Sequence, residues 1–368
     1  MRIGFDAKRA FSNSSGLGNY SRNTLNSLLK YGSNNQYILY TPEVKTQLFD
    51  TFKKFEIHSP ESSLAKIFKP VWRNYSSRLL KKHQIDIFHG LSNELPAGIY
   101  KTNVASVVTI HDLIFLRFPE FYKAIDRKIY YNKVKYACSV ADVIVAISKQ
   151  TKDDIIKFFE VDPKKIKVIY QSVSADFYVK SELQNLRTKY NLEEEFILSV
   201  GTHEPRKNQL SLLKAVQAGK INTQIIFVGK ATSYTKKMKS FIQKNNMQKQ
   251  VKLLHNLPGK DIPGLYQIAT LSVYNSFFEG FGLPVIESMA SGCPVITSNV
   301  SCLPETAGGA ALLCTPNDID ELESHLQNLL ANKTNRVKYI KKGIERARDF
   351  HPQQFAENMI SLYSNLSV

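Results

Sequence analysis

The feature that most constrains this chain is a rhythm that occurs twice. Short runs rich in β-branched and aromatic residues alternate with longer amphipathic stretches. Such alternation reads as βα units, in which a crossover helix joins each strand to the next and the sheet is parallel. In the first series the strands are expected at Arg2–Phe5, Tyr37–Tyr40, Ile85–His89, Val104–Ile110, Val143–Ile147 and Lys167–Ile169, with helices such as Tyr20–Lys30 and Lys123–Ala141 between them. Gln171–Lys180 has no periodicity and reads as a linker. The rhythm restarts with Phe196–Val200, Ile225–Val228, Val251–Leu253, Leu271–Tyr274, Pro294–Ile296 and Ala311–Cys314. The 368 residues exceed one ordinary core and suit two domains. The expected fold is α/β: two Rossmann-like, doubly wound domains, residues 1–175 and 181–350, with a cleft between them. A helix at Arg336–Phe350 precedes a last one near Pro352–Leu366, and segment 352–368 is expected to pack back on the first domain.

Composition narrows the setting. Apolar residues at 43% and charged residues at 22% are those of a globular protein. No segment approaches the roughly 20 apolar residues needed to cross a bilayer. Met1-Arg2 leads straight into a short apolar stretch and Asp6, without the long apolar run of a secretion signal. The four cysteines, Cys138, Cys293, Cys302 and Cys314, have neither metal-site nor disulfide-scaffold spacing. The expected location is cytoplasmic. The net charge of +17 is uneven: residues 1–180 hold 28 Lys and Arg against 16 Asp and Glu, the remainder 21 against 16. A basic first half suits an anionic membrane surface or a phosphorylated substrate, and equally a Lys-rich chain that places Lys on solvated faces. No nucleic-acid motif accompanies it, so nucleic acid is not an expected partner.

Four motifs carry chemistry. The first is Glu279-Gly280-Phe281-Gly282-Leu283-Pro284, with Glu287 eight residues after Glu279. It follows an apolar strand and opens a helix near Leu283 and Pro284. Glycines let backbone amides approach a ligand, a helix start attracts anions, and proline suits the first turn. The two carboxylates can hold hydroxyls on either side of a diphosphate. Taken alone, the spacing serves a glycine-rich turn with Glu287 on a solvated face just as well. The second motif, Gly201-Thr202-His203-Glu204-Pro205-Arg206-Lys207-Asn208, places two adjacent cations after a strand, where they can neutralise a diphosphate or simply begin a basic helix. The third, Asn13-Ser14-Ser15-Gly16-Leu17-Gly18-Asn19-Tyr20, lies between the first strand and the first helix, where a phosphate-binding loop or a plain surface loop belongs. The fourth is His111-Asp112, at the carboxyl end of a strand and so facing the crevice.

In this order the motifs resemble those of the retaining GT-B glycosyltransferases of family 4. The resemblance covers nearly the whole chain and is most specific over Ser276–Pro304, where the family's E-x7-E element stands as Glu279 and Glu287. It implies that Glu287 binds the nucleotide ribose and Glu279 the hydroxyls of the donor sugar. Arg206 and Lys207 would hold the diphosphate, helped by the Gly282 and Leu283 amides and the Gly16–Gly18 loop, and His111 would sit beside the transferred sugar. Some relatives carry an additional Arg where this chain has Thr202.

The implied chemistry is retaining transfer of a hexose. Cations and helix dipoles stabilise the charge that develops on the leaving diphosphate, which accepts the acceptor's proton, and no protein nucleophile is assigned. Asp318-Ile319-Asp320 has the look of a metal motif, but Asp318 with Glu321 three residues on reads as a helix capping box, so no metal is expected. No cofactor is expected beyond the nucleotide-sugar donor itself. The segment His111–Tyr122 is similar to that of mannosyl- and rhamnosyltransferases of bacterial surface polysaccharides. This points to GDP-mannose, with UDP- or dTDP-sugars behind it and a sugar-nucleotide epimerase as an alternative on the same fold. The acceptor would be a glycan or lipid-linked glycan at the inner membrane face. Pro70–His83 reads as a basic amphipathic helix that either visits an anionic membrane peripherally or packs on the first domain's sheet.

Overall fold

The computed structural model describes residues 1–45, 47, 49–60, 77–181 and 185–366. The chain divides into two compact units: Met1–Ser172 with Pro352–Val368, and Val173–His351.

The first unit is built on a seven-stranded parallel sheet of order β3-β2-β1-β4-β5-β6-β7. Its strands are β1 (Arg2–Asp6), β2 (Gln36–Tyr40), β3 (Glu56–His58), β4 (Ile87–Gly90), β5 (Ala105–Ile110), β6 (Val143–Ala146) and β7 (Ile166–Val168). Six of these fall within two residues of the sequence expectation. The seventh, β3, was not anticipated: three residues at the sheet edge, none of them buried, give no apolar pattern to read. Successive residues point to opposite faces of a strand. Accordingly Ile87 and Val107 enter one core with Ile3 and Phe5, while Phe88 and Val108 enter the other with Ile38 and Leu80. Of the expected helix Pro70–His83, residues 70–76 lie outside the described residues. In the part that is described, Leu80 is buried while Arg78, Lys81 and Lys82 are exposed.

The helix Pro352–Ser364 belongs to this first unit. Phe355, Ala356, Met359, Leu362 and Tyr363 fall on one face, by helical spacing, and join Leu25 and Leu28 of helix Gly16–Tyr31 in the core. Each large apolar side chain buried there contributes roughly 1.5–3 kcal/mol of transfer free energy. A buried polar chain fixes the register. The Tyr363 hydroxyl lies 2.7 Å from His89 Nδ1, His89 Nε2 lies 2.8 Å from Thr109 Oγ1, and the Tyr20 hydroxyl lies 3.0 Å from the same Thr109 oxygen. Burial, with His111 nearby, drives the His89 pKa down to about 3, so the ring is neutral and can both donate and accept.

The second unit holds a six-stranded parallel sheet of order β10-β9-β8-β11-β12-β13. Its strands are β8 (Phe196–Val200), β9 (Gln224–Val228), β10 (Val251–Leu254), β11 (Leu271–Tyr274), β12 (Val295–Ser298) and β13 (Leu312–Cys314). Both sheets reverse direction of growth after their third-laid strand, the doubly wound order whose ligand crevice opens at the reversal. In this unit the reversal lies between β8 and β11.

The expected linker Gln171–Lys180 is not a linker along its length. Phe177 is buried with its ring 6.1 Å from that of Tyr266, and the Tyr178 hydroxyl donates to the Ala347 carbonyl at 2.7 Å. The 3-10 turn Ala175–Tyr178 is too short to show periodicity, yet its aromatics anchor it to the second unit.

Candidate active site

The site residues of the second unit come from the two loops at the sheet's reversal point. After β8 the chain forms a 3-10 turn, Pro205–Lys207, and then Asn208 takes the left-handed conformation (φ 55°) that starts helix Gln209–Ala218. After β11 it runs through Asn275–Gly282 into helix Leu283–Ala290. The loops are joined where Phe277 N donates to the Arg206 carbonyl at 2.8 Å. This places Arg206 and Lys207 against Glu279.

Three side-chain donors converge on Glu279 Oε1: Lys207 Nζ at 2.6 Å, Arg206 Nη1 at 2.8 Å and Ser276 Oγ at 2.5 Å. Lys207 also donates to the Tyr274 hydroxyl, and Arg206 Nη2 donates to Glu204 Oε1 at 2.6 Å. Burial would raise the Glu279 pKa, but Arg206 and Lys207 outweigh it and bring it down to about 2. Burial pulls the Lys207 ammonium below its ordinary value, opposed by Glu279. The same desolvation acts on Arg206, where Glu279 and Glu204 overcome it and hold the guanidinium charged. The cluster of two cations and two carboxylates is balanced, which is what allows it to lie so far out of water. Tyr274, Ser276 and Glu204 were not anticipated. The available signal was positional, since Tyr274 ends the strand, Ser276 precedes Glu279 by three residues and Glu204 precedes Arg206 by two.

Gly282 caps the next helix with φ 96°, a left-handed conformation that favours glycine, and a Cβ there would lie 2.6 Å from Leu303 Cδ2 and push that side chain aside. Leu283 opens the helix with Pro284 in its first turn, and the helix's positive end lies at the glycine loop. Glu287, one turn in, is half-buried. Its carboxyl is desolvated enough to raise its pKa to about 7, with Lys207 pulling the other way. That rules out the solvated-face reading of Glu287 and brings Arg206, Lys207, Glu279, Gly282, Leu283 and Glu287 into one neighbourhood.

Gly16, Gly18 and His111 belong to the first unit. Gly16 and Gly18 do not form a loop, as expected from the sequence, but lie in the first turn of helix Gly16–Tyr31. The reason is packing. A Cβ on Gly18 would lie 1.8 Å from the Asn13 carbonyl oxygen, so the glycine lets the helix start directly beneath the preceding strand–helix connection. His111 is buried at the end of β5. Its Nε2 lies 2.9 Å from the Leu91 carbonyl, to which it must donate, and its ring meets Tyr20 edge-on at 4.6 Å. Burial lowers its pKa to about 4 despite the Leu91 bond, so the ring is neutral near pH 7. Beside it a cavity of about 190 Å³ is lined by Arg9, Asn93, Glu94, Asp112, Tyr122 and Tyr130.

The capping box expected at Asp318 forms by half. Asp318 Oδ1 accepts from Glu321 N at 2.9 Å, but Glu321 Oε2 accepts from Thr315 N at 2.7 Å rather than from the cap's own amide. The Asp318 side chain is thereby committed to the helix start.

Two doubly wound units with a glycine-loop helix start, a pinned carboxylate and paired cations define the GT-B glycosyltransferase class. Comparison with known proteins agrees. The description Glycosyltransferase Family 4 matches residues 14–177, and Glycosyl transferases group 1 matches residues 182–346. The O-antigen chain mannosyltransferase B of Escherichia coli is 30% identical over 295 residues, spanning 78% of this chain and 76% of that protein. The O-antigen chain mannosyltransferase RfbU of Salmonella typhimurium is 30% identical over 60% of each chain. Among solved structures, sucrose-phosphate synthase from Thermosynechococcus elongatus superposes with a TM-score of 0.81 at 20% identity, covering 100% of this chain and 99% of that one. Anabaena HepE in complex with UDP-glucose gives 0.77 at 18%, covering 99% and 100%. The chain belongs to this glycosyltransferase family and is a glycosyltransferase.

Proposed function

We propose that the protein transfers mannose from GDP-mannose, with retention, onto a glycan or lipid-linked glycan in cell-surface polysaccharide synthesis. The observation that carries the reading is the Glu279 carboxylate held by Lys207 and Arg206 at the start of helix Leu283–Ala290. A sugar hydroxyl that bonds to Glu279 takes over part of the role of the cations. Lys207 and Arg206 are then free to meet the diphosphate, whose charge grows as the anomeric bond breaks. Glu287 accepts a ribose hydroxyl in its ionised form. The neutral His111 ring and the cavity beside it, where Asp112, Tyr122 and Tyr130 stand among apolar side chains, suit a sugar with its hydroxyls. Donor choice rests on the relatives, whose names specify mannosyl transfer in O-antigen chains. No helix among the described residues is long and apolar enough to cross a membrane, and a lipid-linked acceptor would be met at the inner membrane surface.

The test is a thermal-shift series with GDP, UDP and dTDP, followed by transfer from the matching mannosyl, glucosyl or rhamnosyl donor to a synthetic lipid-linked glycan. Ligand at 100 times its Kd stabilises by about 2.7 kcal/mol, a readable rise in Tm. Selective stabilisation by GDP and a mannosylated, α-configured product support the reading. A shift confined to UDP or dTDP moves the donor, and donor conversion without any acceptor points to the epimerase.

A further inference from the structure

We infer that Asn208 and Asn275 are positioning residues: by sharing the Pro316 carbonyl they fix the two site loops against each other and so hold Lys207 and Arg206 at Glu279. Asn208 directly follows Lys207, and Asn275 directly precedes Ser276, whose hydroxyl bonds to Glu279. Asn208 Nδ2 donates to the Pro316 carbonyl at 2.7 Å, and Asn275 Nδ2 donates to the same oxygen at 3.2 Å. Asn275 Nδ2 also donates to Ser211 Oγ at 3.1 Å, and the Ser211 hydroxyl donates to the Asn208 carbonyl at 2.8 Å. These bonds close a ring through Asn208, Pro316, Asn275 and Ser211, all of them buried. On the other side of the amide, Asn275 Oδ1 lies 3.0 Å from Ser298 Oγ and 3.4 Å from Cys314 Sγ, so both donors and both lone pairs of this side chain are engaged. The Ser298 hydroxyl also lies 2.5 Å from the Ser276 carbonyl.

The placement of the ring explains what it does. Asn208 lies beyond β8 and Asn275 beyond β11, while Ser298 ends β12 and Pro316 follows β13, so the bonds gather the carboxyl ends of four neighbouring strands. Neither amide bonds to Arg206, Lys207 or Glu279, and any influence on them passes through the backbone. The Phe277 amide bond to the Arg206 carbonyl ties the two loops at one point, about which they could pivot. The ring supplies a second fixed point on each loop. A lysine ammonium rides on a flexible four-carbon stem, so its place is set only as well as its backbone is held. Electrostatic donors act on a leaving group most strongly when they are already in position and need not reorganise.

The inference rests on the functional reading in taking a nucleoside diphosphate as ligand. The variants are Asn208→Gly, which tolerates the left-handed backbone at φ 55° and removes the amide, and Asn275→Ala. Gln250→Ala is the control: Gln250 Nε2 donates to the Ile221 and Thr223 carbonyls at 2.7 and 2.9 Å, at the opposite, amino end of the sheet. Asn208→Gly should lower kcat about 10- to 100-fold, the scale of a misplacement near 1 Å, with acceptor KM little changed. The ratio of the GMP to the GDP dissociation constant, read by calorimetry and repeated with UMP and UDP, should fall about tenfold, as expected when a bond to a charged group is lost. Asn275→Ala should act in the same direction, and if it does not fold, Asn208→Gly carries the test. Gln250→Ala should lower Tm while kcat and the ratio stay at wild-type values. Asparagine variants that likewise lose Tm alone overturn the inference. A wild type that binds no diphosphate better than its monophosphate counts against the functional reading, and the crystal structure of Asn208→Gly then decides the positioning by itself. There the 2.6 Å contact between Lys207 Nζ and Glu279 should be broken, and an unchanged contact overturns the inference.

Discussion

Lys207 Nζ lies 2.6 Å from Glu279 Oε1 although 72 residues separate them, and the loops that carry them leave neighbouring strands β8 and β11 at the reversal of the sheet. Each residue makes the other's burial tolerable. Glu279 keeps its charge because Arg206 and Lys207 overcome the desolvation, and Glu279 in turn opposes the burial that pulls the Lys207 ammonium below its ordinary value. A buried pair of this kind is weak evidence for stability, since its desolvation offsets much of the attraction. The arrangement is better explained by what it presents to a ligand.

Lys207→Ala is therefore expected to lower turnover about 100- to 1,000-fold, as removal of one electrostatic donor commonly does. Glu279 would still hold Arg206 and Ser276, so the fold should survive. Arg206→Ala should cost more stability, because Arg206 also donates to the Phe278 carbonyl and to Glu204. Steady-state kinetics beside Tm values check both. Near-normal kcat in the two variants would remove the pair from the active site.

Glu287 gives a pH dependence. Its pKa is about 7 in the folded chain against 4.5 ordinarily, so the native state keeps a proton that the unfolded state gives up. The stability it contributes is fully present below about pH 4.5 and is lost as pH rises toward 7. Glu287→Gln should flatten that part of the profile, measured as urea midpoints of the free protein between pH 4.5 and 7.5. A slope that the substitution leaves unchanged would place its origin elsewhere.

His111 should not titrate in the physiological range. With its pKa near 4, the ring should remain neutral from pH 5.5 to 8, with the proton on Nε2 facing the Leu91 carbonyl. Ring nitrogen NMR reads both the charge and the tautomer. A midpoint near 6.5 would mean the ring is open to water.

Catalysis is expected to persist in excess EDTA, because the Asp318 carboxylate is used in capping helix Ile319–Ala331. Loss of transfer on chelation, restored by Mg²⁺ or Mn²⁺, would reverse this expectation.

Much of the fold and part of the site could be read from the chain because they depend on local pattern. Runs such as Phe196–Val200 and Leu271–Tyr274 are apolar but for one serine each, as befits strands covered on both faces, and they form at the expected bounds. Gly282, Leu283 and Pro284 signal a helix start by conformational preference alone. The edge strand Glu56–His58 and the turn Ala175–Tyr178 gave no such signal, since each is too short for a period to develop. Gly16 and Gly18 had the composition of a loop, and only the approach of Asn13 to Gly18 shows why they lie in a helix. What tertiary structure alone decided is which groups share a low-dielectric space. Tyr363 reaches His89 across 274 residues, and Glu279 meets Lys207 across 72. The charge states of Glu279, Glu287 and His111 follow from those long-range neighbours and from the exclusion of water, neither of which is a property of any sequence window.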